Sequence, residues 1–150
     1  MRILVLSGPN LNLLGTREPE IYGAVTLEQI HNRLAREAEE LQCEIECLQS
    51  NHEGVLIDLL QERRGAVAGA LLNAGGLTHT SVSLHDTIKA MPFPVIEVHL
   101  SNIHAREPWR SHSLLAPAVL AQVAGLGWYS YVAALHGLVS HLRGEHPVPT

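Results

Sequence analysis

Lysine is almost missing from this chain. Lys89 is the only one among 150 residues, and phenylalanine is likewise limited to Phe93. Chemistry that needs an amine nucleophile, such as Schiff-base formation, therefore has one candidate residue, and Lys89 falls in a segment patterned as a helix. Cysteine is sparse too: Cys43 and Cys47 stand four apart in one short segment, a poor geometry for a disulfide. A zinc reading of the pair needs two further ligands at suitable spacing. No apolar run is long enough to span a bilayer. Met1-Arg2 passes straight into a strand-like run, without a signal peptide's basic start and cleavage site. These absences set the expectation of a reduced, cytoplasmic protein without a membrane partner. Charged residues make up 17% of the chain and the formal charge is -5, which argues against nucleic acid as a partner. Apolar residues at 46% argue against disorder, and the length suits one domain over residues 1–150 with a substantial core.

What the chain does have is an unusual first loop. The apolar run Ile3 to Leu6 feeds into Ser7-Gly8-Pro9-Asn10-Leu11-Asn12-Leu13-Leu14-Gly15-Thr16-Arg17-Glu18-Pro19-Glu20-Ile21-Tyr22-Gly23. That is far longer than the two to six residues usual between a strand and a helix, and loops of such length are commonly functional. Arg17 and Tyr22 stand close together in it, bounded by Pro19 and glycines. The expectation is an active-site lid carrying a reactive tyrosine; a lid tyrosine that only packs is the plainer alternative. A guanidinium within about 4–6 Å favours a phenolate over a phenol.

Beyond the loop the pattern alternates regularly. Residues 2–7 read as a buried parallel strand. Thr26-Leu27-Glu28-Gln29 forms a capping-box start, and Leu27, Ile30, Leu34, Ala38 and Leu41 then share one helical face. Cys43, Ile45 and Cys47 alternate with Glu44 and Glu46, as on a half-exposed edge strand. Ser50 or Asn51 is expected to cap a second helix running to about Arg64. A buried strand follows over 66–72, then a helix over 81–90, a strand over 95–100, a strand over 118–123 and a last helix over 129–142. Residues 144–150 read as a loose tail. Five strands alternating with helices predict an α/β fold, a doubly wound parallel sheet of flavodoxin-like order 2-1-3-4-5. Ligands in this architecture sit beyond the carboxyl ends of the strands. Every unusual polar cluster falls there, at residues 8–23, 73–81 and 97–112.

Glu97 and His99 stand two apart on the fourth strand, so their side chains share a face. A carboxylate can orient an imidazole and keep it protonated as a general acid, although a strand histidine is often an ordinary packed residue. Asn73-Ala74-Gly75-Gly76 lets backbone approach a ligand, and Asn73 offers both donor and acceptor. Neither a Walker lysine pattern nor a GxGxxG accompanies it. Ser101 and Asn102 can offer N–H groups to a carboxylate, and Arg106 and Arg110, four apart, suit an anion clamp or a solvated face. His99, His104 and His112 are conceivable metal ligands, but they lack a compact pair on a helix and an obvious carboxylate ligand. Two other classes stay open at this point, a flavin- or nucleotide-holding module and a metal-dependent lyase or hydrolase.

At these residues the sequence resembles the type II 3-dehydroquinate dehydratases, a family of the shikimate pathway and quinate catabolism. The shared stretches are Gly8 to Gly15 (GPNLNLLG) with Arg17, Pro19, Tyr22 and Gly23; Leu72 to Ser81 (LNAGGLTHTS); and Ile96 to Arg106 (IEVHLSNIHAR) with Arg110. The likeness runs through roughly residues 2–142. It implies anti elimination of water from 3-dehydroquinate through an enolate. Tyr22 would be the base, activated by Arg17, with Arg106 adding positive charge and Asn10 positioning that corner. His99, oriented by Glu97, would protonate the departing hydroxyl. Asn73 would support the enolate through a bound water, near Gly75 and Gly76. Backbone N–H groups near Ser101 and Asn102 would hold the carboxylate, and His79 and Arg110 the ring hydroxyls. Asp86 would reach in from a neighbouring subunit of a dodecamer built from trimers. The family needs no cofactor and no metal. Three departures stand out: Pro108-Trp109 where the family usually has an acidic or polar residue followed by Phe, Ala90 where some members have Glu, and Ser7 ahead of Gly-Pro-Asn.

Overall fold

Runs such as Ile3–Leu6 and Ala70–Leu72 are apolar at consecutive positions, so both faces of the strands they form need cover. The computed structural model describes residues 1–16 and 18–145, with Tyr22 described by its backbone alone. In it these runs form the centre of a five-stranded sheet: β1 (Arg2–Ser7), β2 (Glu44–Gln49), β3 (Gly69–Asn73), β4 (Val95–His99) and β5 (Ala121–Ala124). All pairings are parallel and the order is β2-β1-β3-β4-β5, as the alternating pattern predicts. The helices are α1 (Pro19–Tyr22), α2 (Leu27–Glu40), α3 (Glu53–Glu62), α4 (Val82–Ala90) and α5 (Tyr129–Leu142). Ile30 and Leu34 of α2 and Leu135 and Leu138 of α5 cover Ile3, Val5 and Leu71 on one face. Leu56 and Leu60 of α3 and Leu84 and Ile88 of α4 cover Leu4, Leu6 and Leu72 on the other.

The local signals act as expected at two helix starts. Thr26 Oγ1 accepts from the Gln29 amide at 3.2 Å while Gln29 Oε1 accepts from the Thr26 amide at 2.9 Å, which closes the capping box. Ser81 Oγ accepts from the Leu84 amide at 2.9 Å and opens α4. Cys43, Ile45 and Cys47 pack against the α2–α5 face, as the alternation predicts. Burial raises both thiols, that of Cys47 to about 12, so they remain protonated and unreactive.

Several boundaries shift for identifiable reasons. β2 continues to Gln49 because its pairing with β1 holds through Leu6↔Leu48 and Ser7↔Gln49. β3 begins at Gly69 rather than 66, since a turn from Arg63 through Gly65 still occupies those residues. β5 begins at Ala121 rather than 118 because Pro117 sits in a 3-10 turn at 116–118. The cap of α3 is His52, without a side-chain bond. Ser50 Oγ instead accepts from the His52 amide, and Asn51 turns to the first loop. α1 is an unforeseen short helix inside that loop, with Pro19 at its first position. The tail expected over 144–150 lies, from residue 146 onward, outside the described residues. Among the described residues no helix is long and apolar enough to cross a membrane.

The loops after β1 and β3 meet backbone to backbone, and glycine makes this possible. A Cβ on Gly8 would lie 2.8 Å from the Ala74 carbonyl oxygen, and one on Gly75, at φ +59°, would lie 2.9 Å from that of Pro9. The Gly8 amide donates to the Asn73 carbonyl at 2.8 Å and fastens the junction. Gly8→Ala should therefore lower unfolding stability by about 1–3 kcal/mol in a denaturant titration, the usual cost of overpacking. Gly54→Ala, in α3 where the added carbon meets nothing within 4 Å, should leave stability unchanged or slightly raised.

Candidate active site

The carboxyl ends of β1, β3 and β4 surround a cavity of about 170 Å³. Glu97 and His99 lie side by side on β4, with Glu97 fully buried and His99 6% exposed. His99 Nε2 donates to Glu97 Oε2 at 2.6 Å. The ring itself lines the cavity, so its other nitrogen, Nδ1, is the one left for a ligand. Two further donors converge on the same carboxylate: Ser113 Oγ on Oε1 at 2.8 Å and Gln122 Nε2 on Oε2 at 3.0 Å. Ser113 Oγ already accepts from the Leu115 and Ala116 amides, which leaves its own proton for Glu97. Burial alone would push the Glu97 carboxyl up. The hydrogen bonds from His99, Gln122 and Ser113 outweigh it and hold the group below its ordinary value. Glu97 is thus an ionised carboxylate, which fixes the orientation and tautomer of His99 by accepting from its Nε2–H.

Asn73 ends β3 and is 3% exposed. Its Oδ1 accepts from the Gly75 amide at 3.2 Å and its Nδ2 donates to the Tyr131 hydroxyl at 3.1 Å. Asn10 adopts the left-handed conformation, φ +70°, and its amide donates to Asn51 Oδ1 at 2.9 Å. Gln49 Nε2 binds the Gly8 carbonyl and Asn51 Oδ1, so the tip of β2 braces the loop. Gly75, Gly76, His79, Ser101, Arg106 and Arg110 also line the cavity. His79 donates from Nδ1 to the His112 carbonyl at 2.9 Å, which leaves Nε2 for a ligand. Arg106 donates to Ser101 Oγ at 3.3 Å. Arg110 binds Glu107 at 2.6 Å and its guanidinium stacks 4.2 Å above the Trp109 ring, whose plane meets His79 edge-on at 5.7 Å.

Not every expected residue converges. Asn102 turns its Oδ1 to the His104 amide and does not line the cavity. Asp86 is exposed on α4, paired with His85 at 3.0 Å, and lies outside the cavity lining. Arg17 and the side chain of Tyr22 lie outside the described residues. Among the described residues no three His, Cys, Asp or Glu side chains are grouped to hold a metal, so His99, His104 and His112 do not form a centre. The supporting residues Ser113, Gln122, Gln49, Asn51 and Tyr131 were not foreseen. Gln122 alone left a usable signal: it interrupts an apolar run, and once the strand order is known it falls opposite Glu97 in register. The whole arrangement places a fixed imidazole, two arginines and amide groups around a small cavity. It suits proton transfer on a small anionic, oxygen-rich molecule.

Residues 1–139 match the family model described as dehydroquinase class II. A protein named 3-dehydroquinate dehydratase from Nostoc sp. strain PCC 7120 is 55% identical over 144 residues, covering 96% of this chain and 98% of its own. The crystal structure of a type II dehydroquinase from Butyrivibrio crossotus superposes with a TM-score of 0.90 at 39% identity, covering 92% of this chain and 97% of its own. One from Propionibacterium acnes gives 0.89 at 36% identity, covering 93% and 96%.

Because the Glu97 pKa is depressed on folding, its contribution to stability is present above the unfolded carboxylate value and is lost as pH falls through the lower folded one. The melting temperature of the wild type should therefore drop in acid below about pH 4.5, the ordinary carboxylate value. Glu97→Gln should be less stable than wild type at pH 7 by about 1–3 kcal/mol, through loss of charge-assisted hydrogen bonds. Its melting temperature should change less over the acid range, as differential scanning calorimetry from pH 3 to 7 would show.

Proposed function

The chain belongs to the class II dehydroquinase family and is a type II 3-dehydroquinate dehydratase, a hydro-lyase; we propose that it works by anti elimination through an enolate, with Tyr22 as base and His99 as acid. A phenol with an ordinary pKa near 10 is a weak base at neutrality, and each unit of lowering corresponds to about 1.36 kcal/mol of differential stabilisation. Arg17, with Arg106 nearby, supplies the positive charge for this, and Asn10 positions that corner. Tyr22 takes the proton from the carbon beside the ketone. The enolate oxygen is supported by Asn73 through a water, an interaction that strengthens as charge develops. His99 then gives its proton to the departing hydroxyl from the opposite face, and Glu97 offsets its charge beforehand. The backbone near Ser101 and Asn102 holds the substrate carboxylate, and His79 Nε2 and Arg110 hold ring hydroxyls.

The observation that carries this reading is the 2.6 Å bond that aims His99 into a cavity also lined by Asn10, Asn73, Arg106 and Arg110. Asp86, exposed on α4 and outside the cavity lining of its own chain, fits a role in a neighbour's site. A groove of about 600 Å³ between β5 and α5, with Leu120 exposed beside it, supports contact with another copy. The assembly proposed is a dodecamer of trimers, each chain one catalytic unit working without cofactor or metal in the cytoplasm. The pathway is the shikimate pathway, and the same reaction would also serve quinate breakdown.

An ultraviolet assay for the conjugated enone on adding 3-dehydroquinate, with and without chelator, tests the reaction directly. Turnover should be equal in both. Tyr22→Phe should lose turnover by about a thousandfold, within the range for removal of a general base, while substrate binding measured by calorimetry survives. Activity within tenfold of wild type would end the tyrosine-base reading. Lys89 is exposed on α4, away from the cavity. Lys89→Ala should remain active, and borohydride with substrate should not inactivate the enzyme.

A further inference from the structure

Beneath the cavity lies a polar group that the mechanism above does not use. Tyr131 projects from α5 into an otherwise apolar face and is fully buried, as is Ser7 at the end of β1. Its hydroxyl stands 3.1 Å from Asn73 Nδ2 and 2.9 Å from Ser7 Oγ. Ser7 and Asn73 are register partners on adjacent strands, so one hydroxyl bridges the ends of β1 and β3. Donor and acceptor roles follow from chemistry. An amide nitrogen can only donate, so the Tyr131 oxygen accepts from Asn73 and its hydrogen is left for Ser7. Asn73 Oδ1 is already taken by the Gly75 amide. Both ends of the amide are thereby tied, and its second N–H is left for the cavity that Asn73 lines.

We propose that Tyr131, seated on Ser7, is a positioning residue for the reaction: it fixes the Asn73 amide so that a single N–H donor faces the water that supports the developing enolate. A phenylalanine would fill the same space among Val5, Leu71 and Leu135. The hydroxyl adds nothing to that packing, and burying it requires the partners it has. Burial pushes the Tyr131 phenol up to about 12, so it acts as a neutral donor and acceptor and takes no part in proton transfer. The proposal rests on the enolate-supporting role of Asn73, and the test separates the two.

The experiment is a double-mutant cycle on the full chain with 3-dehydroquinate, reading kcat and KM separately. Tyr131→Phe should lower kcat about tenfold to a hundredfold, the scale of a small misplacement in a preorganised site, with KM within about threefold. In an Asn73→Ala background the same change should cost no further kcat, because the group it acts through is gone. A Tyr131→Phe enzyme with kcat within threefold of wild type, beside a strongly impaired Asn73→Ala, would overturn the proposal and leave the role of Asn73 standing. Losses that multiply in the double variant would overturn it as well. A fully active Asn73→Ala would remove the reading of Asn73 itself, and the proposal with it. Should Tyr131→Phe not fold, Ser7→Ala decides: a kcat loss of about threefold or more, absent in the Asn73→Ala background, supports the proposal, and a smaller loss overturns it.

Discussion

A carboxylate with no exposed surface is the constraint on which this structure turns. Removing an ion of that size from water costs several kcal/mol even after relaxation, and Glu97 is tolerated because three donors meet it from three segments. His99 comes from its own strand, Gln122 from the neighbouring edge strand and Ser113 from the connection between them. The same contacts that satisfy Glu97 tie β5 to β4. A slip of one residue in that pairing would send Gln122 to the opposite face, stripping a donor from the carboxylate. Register of the edge strand and orientation of His99 are therefore one problem with one solution.

The loops obey a comparable logic. A site made at the ends of parallel strands needs the connecting backbones close together, and a side chain at either contact point would separate them. Gly8 and Gly75 remove that obstacle, and the Gly8 amide closes on the Asn73 carbonyl. Asn10 then holds a left-handed conformation that costs energy for a residue with a side chain. It is stabilised by Asn51, just beyond β2, which Gln49 at the end of that strand holds in turn. Strain at the cavity rim is thus offset by hydrogen bonds from the end of β2 and the turn after it, neither of which lines the cavity.

These supports explain what could and could not be read from the residues alone. Periodicity and the Thr26–Gln29 box led to the elements because those signals are local, and the sheet order and the location of the cavity then followed from the architecture that such alternating elements adopt. The Glu97–His99 pairing was equally legible, being two residues apart on one strand. Ser113, Gln122 and Tyr131 were not, since their partners lie 16, 25 and 58 positions away and a one-dimensional pattern holds no register. Asn51 looked like a helix cap because asparagine commonly is one. A stronger need for an acceptor, at the Asn10 amide, drew it away. The first loop's length and composition marked Tyr22 and Arg17 as a candidate reactive pair beside a merely packing tyrosine, and the resemblance then gave Tyr22 the role of base; the place of the cavity came from the architecture.

The Pro108-Trp109 departure shows how such a site absorbs a change. Proline disrupts a chain where its missing N–H was needed or where its fixed φ does not fit. Here it opens a one-turn 3-10 helix over 108–111, a position where neither demand arises. The Arg110 amide still reaches the Glu107 carbonyl at 2.9 Å, so the turn keeps its shape and Arg110 keeps its place in the cavity wall. The larger indole offers one face to the guanidinium of Arg110 and meets the His79 ring edge-on. A cation over an aromatic face and a ring in edge contact are both favourable arrangements. The two groups proposed to hold the substrate's hydroxyls are therefore positioned by a single neighbouring ring, and the tolerance of the site at this corner follows from the turn's geometry and the indole's two surfaces.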